Sequence, residues 1–363
     1  IADMQSGMEA QAGAAPIVNV AGLTKMVEGM VGMVNDLDKL EVVGKLAEDG
    51  FQLHFTLHAK KDSETGKLFA SMDGMKAPSL AAAPANAPLV VAANIDPAKY
   101  SDLSKRLMSL SLDMINLGDE AKKTYETATD AYLKAMTGDF VMVGYPNPGE
   151  PKEGELNASL SAKMGIKDAE AAKAAQVEIG KIYKDPTFAK AYKDAGIEMK
   201  YTPQAYKVGE VEVATAVTEM KGLDDAGASA GMVGLMKAFS TVHTGIGKEA
   251  AYMAYGPAGK AILTQWIEGK MPGGFDGSDG AKRAMSHAVP GMFAVVFAAP
   301  AAVMPAVMGK PLPEKGGEGL SMTMGAKDGR IHLGFDVPKS QIMALMAVGQ
   351  GTMVEPGGAP GGI

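Results

Sequence analysis

The sequence predicts an α+β protein, with two related lobes of largely antiparallel sheet and packed amphipathic helices. Three observations lead there. Leu40 to Lys60 and Leu320 to Lys339 each place Asp-Gly between alternating apolar segments, and Asp-Gly suits a type I′ hairpin turn because both central residues need positive φ. The apolar run L-V-V-A-A-N-I from Leu89 leads into Asp96-Pro97-Ala98, and F-A-V-V-F-A-A from Phe293 leads into Pro300-Ala301. Each reads as a buried strand entering a helix, and this second matched pair suggests a duplication. Apolar residues recurring at three- and four-residue spacing, as in Leu23 to Leu37, supply the helices. One mismatch opposes a strict repeat: apolar residues fall at odd offsets after Gly50 and at even offsets after Gly329.

Along the chain, 1–16 reads as an Ala/Gly-rich arm, 17–220 as the first lobe, 221–345 as the second and 346–363 as a Gly/Pro-rich tail. The helix Leu23 to Leu37 carries Met26, Met30, Met33, Val34 and Leu37 on one stripe, a candidate apolar interaction face. Helices are expected over Asp102 to Leu117 with Ser101 as N-cap, over Asp119 to Met136, from Asp168 to Tyr183, and over Pro186 to Ala195. Strands are expected over Phe140 to Tyr145, Leu156 to Ile166, Ile197 to Tyr206 and Val208 to Met220. Beyond Gly222 the pattern turns helical through Met232, Leu235, Met236 and Phe239, followed by a helix over Lys248 to Ile267.

A chain of 363 residues with 47% hydrophobic and 21% charged residues is globular in composition. Its formal charge of −7 supplies no basic field, so nucleic acid is not an expected partner. Aromatic residues make up only 6%, so much of the apolar interior falls to Ala, Val, Leu and 27 Met, a side chain that fills irregular gaps and suits adaptable surfaces. The absence of cysteine removes disulfides, thiolate catalysis and Cys-based zinc sites. The sequence starts at Ile1, so a removed signal peptide would lie upstream of it. Ala288 to Met308 is uncharged but interrupted by Pro290, Pro300 and Pro305, which favours a strand Met292 to Ala298 and a short helix entered at Pro300 over a membrane span.

The sharpest catalytic pattern is Gly227-Ala228-Ser229-Ala230-Gly231, the spacing of a nucleophile elbow, with Asp276 or Asp279 and then His287 or His332 following in hydrolase order. Six residues, Lys221 to Ala226, separate that pentapeptide from the preceding strand, where the elbow requires an immediate turn, and its small residues suit close helix packing. His54 and His58 share a strand face but stand about 13 Å apart, too far for one ion. Asp276 to Gly280 resembles part of a calcium loop, yet His287 occupies the place of the bidentate acid. No P-loop, dinucleotide fingerprint or Ser-x-x-Lys is present, and no cofactor or metal is expected.

Residues 40–97, S-L-S-A-K-M-G-I-K-D-A-E-A-A-K at 159–173 and K-D-G-R-I-H-L-G-F-D-V-P at 327–338 together resemble duplicated bacterial envelope proteins known only as a domain of unknown function. The resemblance implies an exported α+β protein of the periplasm or cell surface and carries no active site. The expected function is therefore a non-catalytic structural or accessory component of a cell-envelope assembly, contacting other protein subunits, copies of itself included. The alternatives are a periplasmic carrier of a lipid or other apolar ligand, and a serine hydrolase using Ser229.

Overall fold

Twelve strands join in one antiparallel sheet, ordered β1-β2-β12-β11-β10-β3-β4-β5-β9-β8-β7-β6. The computed structural model describes residues 31–97, 118–146, 158–194, 196–220, 239–300 and 318–343. The strands are β1 (Leu37–Ala47), β2 (Gly50–Ala59), β3 (Leu89–Asn94), β4 (Met136–Pro146), β5 (Ala158–Ile166), β6 (Ile197–Val208), β7 (Val211–Met220), β8 (Thr241–Ile246), β9 (Ala250–Tyr255), β10 (Met292–Ala298), β11 (Leu320–Lys327) and β12 (Arg330–Pro338). The helices are α1 (Glu64–Ser71), α2 (Asp119–Lys134), α3 (Ala169–Gly180), α4 (Pro186–Asp194), α5 (Gly259–Ile267) and α6 (Asp279–Ser286), with 3₁₀ turns at Lys181–Lys184 and Phe275–Gly277.

The α+β class is thus present, on a single continuous sheet. Residue 220, the expected lobe boundary, ends β7, which pairs with β8 across it. Part of the order is symmetric about the β10–β3 pair, where Val295 lies opposite Ala92, while β7 and β6 extend one side without a counterpart. Outward on one side come β11 and β12, then the β1–β2 hairpin; on the other come β4 and β5, then the β8–β9 hairpin. Each flanking hairpin pairs with a strand from the opposite half of the sequence.

Pairing register divides the sheet into two faces, because side chains alternate along every strand. One face presents Val90, Val143, Val295 and Phe297, covered by Trp266 of α5, Phe275 of the second 3₁₀ turn, and Ala281 and Ala284 of α6. Helix α5 buries Gly259, Leu263 and Trp266, the stripe expected of an amphipathic helix. The opposite face is covered at one end by Phe69 and Met72, which pack with Ile331 and Ala326. At its other end Ala135 and Ala172 pack with Ile246 and Ala251.

Side-chain caps fix the helix starts. Ser63 Oγ accepts from Gly66 N at 3.0 Å, Asp168 Oδ1 from Ala171 N at 3.0 Å, and Ser278 Oγ from Ala281 N at 3.1 Å. The Asp168 cap agrees with the sequence expectation.

Three expectations need correction. Lys248 to Ile267 is not one helix: Ala250–Tyr255 is strand β9, inserted between β5 and β8, and only Gly259–Ile267 is helical. Its Ala-rich sequence suits a helix, but small side chains also fit a strand packed on both sides, and neighbouring strands decide the outcome. The first helix ends before Leu37, since only 31–35 of its described residues are helical and Leu37 opens β1. Asp36 terminates it by accepting hydrogen bonds from Thr65 N and Oγ1. The two Asp-Gly turns also differ. Asp328 and Gly329, with φ of 55° and 68°, form the centre of the β11–β12 turn as expected. In the first hairpin Ala47 pairs with Gly50, so the turn centres on Glu48-Asp49 and Gly50 starts β2. A Cβ at Gly50 would collide with the Val337 carbonyl, so glycine here serves a close strand approach. This slip accounts for the odd and even offsets. The expected helices at 102–117 and 222–239 lie, apart from Phe239, outside the described residues, as do the 1–16 arm and 346–363 tail.

Candidate functional site

The β1–β2 hairpin forms one margin of the sheet and concentrates exposed apolar side chains. Among the described residues β1 pairs only with β2, so its outward backbone N–H and C=O groups have no ladder partner there, the property that lets an edge strand recruit another chain. Leu40 and Val42 are each 53% exposed, Leu46 85% and Phe51 37%. Leu46 lies opposite Phe51 and Val42 opposite Phe55, so all belong to one face.

The hairpin's other face is polar apart from Val43, which is 61% exposed. Lys39 Nζ meets Glu41 Oε1 at 2.6 Å, and His58 Nε2 lies 3.1 Å from the same oxygen without hydrogen-bond alignment. Glu41's carboxyl is held below its ordinary range, chiefly by the Lys39 contact. Thr56 Oγ1 and His332 Nδ1 are 3.1 Å apart across the β2–β12 pair, and burial is the main cause that lowers the His332 pKa. His54 and His58 thus belong to a half-buried polar strip. Among the described residues no group of three His, Cys, Asp or Glu could hold a metal ion.

The hairpin is anchored firmly at its tip. Arg283 of α6 donates from Nε and Nη2 to Asp336 at 2.6 and 3.0 Å, and from Nη1 to Asp49 at 2.8 Å. The guanidinium holds the Asp49 carboxyl below its usual range. Phe55 and Phe335 meet edge to face at 5.8 Å, tying β2 to β12 on the apolar side.

The far margin is built differently. β6 carries Pro203 within a register break between Thr202 and Tyr206, and proline with a bulge is the usual means of blunting an edge. β1 has no proline, and its one shift lies at its start, between Leu37 and Lys39.

The residues singled out for hydrolysis are described only in part. Ser229 lies outside the described residues. Asp276 Oδ1 accepts from the next backbone amide, Gly277 N, at 3.1 Å. His287 instead contacts Gln52 Nε2 at 3.0 Å, and its acidic neighbour is Asp336 at 4.0 Å. Arg283 and His287 lie one turn apart at the end of α6 facing β2 and β12, and Asp276 precedes that helix. Of the predicted apolar stripe, Met26 and Met30 lie outside the described residues, Val34 is 65% exposed and Leu37 packs beside α1. Sequence reading missed the hairpin as a site. Its alternating L-x-V-x-G-x-L was visible, but its position at the margin was not.

The fold and this margin define an α+β protein on one open antiparallel sheet. Comparisons with protein-family models, curated proteins and solved structures found no match. No helix among the described residues is long and apolar enough to cross a membrane.

Proposed function

We propose that this chain is a non-catalytic structural or accessory component of a bacterial cell-envelope assembly, acting through protein–protein contacts made by the β1 edge. The observation that carries this reading is the contrast between a margin blunted by Pro203 and a long, proline-free margin bearing exposed Leu40, Val42 and Leu46. The envelope placement and export rest on the sequence resemblance alone. The matched part of the strand order, which leaves out β6 and β7, supports a duplication in which each unit's hairpin packs on the other unit.

The partner is a second copy of the chain. If β1 pairs antiparallel with its counterpart about Val43, Leu40 falls opposite Leu46 and Glu41 opposite Lys45, so apolar residues meet on one face and opposite charges on the other. A two-fold interface must be self-complementary in this way.

Light scattering after size-exclusion chromatography, across a concentration series, tests the proposal. Wild type should show a dimer that Val42→Pro converts to monomer while circular dichroism keeps the strand signal. A concentration-independent monomer for wild type, or a folded Val42→Pro dimer, would overturn it.

A further inference from the structure

A cavity of about 360 Å³ lies between α2, α3 and the Lys181–Lys184 turn on one side and the sheet face of β6 to β9 on the other. It is at the opposite end of the sheet from β1. Its walls carry Tyr125 and Tyr132 from α2, Tyr183 from the turn, Tyr201 from β6, and Tyr252 and Tyr255 from β9. The whole chain has only ten tyrosines, so six of them converge here.

The rings are arranged, not merely crowded. Tyr183 and Tyr201 stack with centroids 5.0 Å apart and planes 10° from parallel. Gly180 makes that stack fit, because a Cβ at this position would come within 2.5 Å of the Tyr201 ring. Removing that glycine would force Tyr201 towards the cavity.

The hydroxyls define the ligand chemistry. Burial pushes Tyr132 and Tyr183 up to about 12, so both remain neutral donors well above neutral pH. Tyr255 donates to Met253 Sδ at 2.8 Å, whereas Tyr132, Tyr183 and Tyr201 have no hydrogen-bond partner among the described residues. Their oxygens are not among the buried atoms that lack a partner, so they stay open to a guest or to water. On the wall, Gln176 Nε2 donates to Thr244 Oγ1 at 2.8 Å. No Asp, Glu, Lys or Arg among the described residues lines the cavity, so nothing there compensates a charged guest.

We propose that this cavity binds a neutral, planar, largely apolar molecule carrying a carbonyl or ether oxygen, its ring seated against Tyr201 and its oxygen accepting from the Tyr132 or Tyr183 hydroxyl. The volume falls in the range of small-molecule pockets, roughly 300–1,000 Å³, which bury most of the ligand. The function is distinct from association at the β1 edge and does not depend on it.

Prodan, a neutral fluorescent naphthyl ketone, is the probe. Titrated with wild-type protein, it should show a saturable blue shift with one site per chain. Gly180→Leu should weaken binding about tenfold or more by displacing Tyr201. The double variant Tyr132→Phe, Tyr183→Phe keeps the rings but removes two donors, and should weaken binding about 5- to 30-fold. Circular dichroism reports whether each variant folds; if Gly180→Leu does not, the phenylalanine pair decides. Leu46→Lys, at the other end of the sheet, should bind Prodan as wild type does. Absence of a saturable shift in wild type, or undiminished binding by the folded phenylalanine pair, would overturn the assignment.

Discussion

Arg283 grips Asp336 through two parallel hydrogen bonds of 2.6 and 3.0 Å, with the carboxylate side chain only 3% exposed. This pair joins α6 to β12, and the same guanidinium reaches Asp49 in the first hairpin turn. One side chain therefore holds together three elements distant in sequence. Removing one partner leaves a buried charge alone, so Arg283→Met should cost about 3–5 kcal/mol. Adding Asp336→Leu should recover much of that loss. Urea unfolding of the two single variants and the double variant measures the coupling; additive losses would contradict this role.

The β11–β12 turn gives a local test. Gly329 N donates to Asp73 at 3.0 and 3.2 Å, so the turn is held by the segment after α1. Asp73→Ala should cost about 1–3 kcal/mol. Gly329→Ala should cost about 1–2 kcal/mol because φ is positive there although space is open around it. The shift in thermal midpoint checks both.

Trp266 is the chain's one tryptophan, and its Nε1 donates to Ser161 Oγ at 2.9 Å in the buried layer under α5. Ser161→Ala would strand that donor and should destabilise by about 1–3 kcal/mol. Ser161→Thr keeps the hydroxyl and separates the bond's loss from a packing change. Intrinsic fluorescence reads the event at the indole itself.

Stability should fall at both ends of the pH scale. His243 has a lowered pKa, through burial first and Lys260 second. In acid the unfolded chain therefore takes up a proton more readily than the folded one, and stability declines as pH drops through about 6.5. Tyr132 and Tyr183 behave oppositely. Their folded values of about 12 exceed the unfolded value near 10, so the unfolded chain releases protons first and stability declines as pH rises from 10 towards 12. Urea midpoints across pH 5 to 12 should trace a dome. Tyr183→Phe should flatten its alkaline side and His243→Gln its acid side.

Much of the local structure was legible in the sequence. The second Asp-Gly turn, the buried strand Met292–Ala298, the Asp168 cap and the α+β class follow from turn chemistry, apolar periodicity and capping, all of which act over a few residues. The candidate sites were less legible. Exposure of Leu46 depends on β1 lying at the margin, and the tyrosine cavity assembles side chains from α2, the 3₁₀ turn, β6 and β9.

What the sequence by itself determined about this protein is therefore its vocabulary: which segments extend, where turns with positive φ belong, and which residues start helices. The tertiary structure alone decided that β2 pairs with β12, bringing Thr56 to His332 across 276 residues of chain. It also decided that Ala250–Tyr255 is a strand and that Asp49-Gly50 sits one position away from its expected place in the turn. The physical reason is that strand pairing has no short-range code. Backbone hydrogen bonds are alike in every register, so the choice among neighbours falls to packing summed over a sheet whose strands come from both ends of the chain.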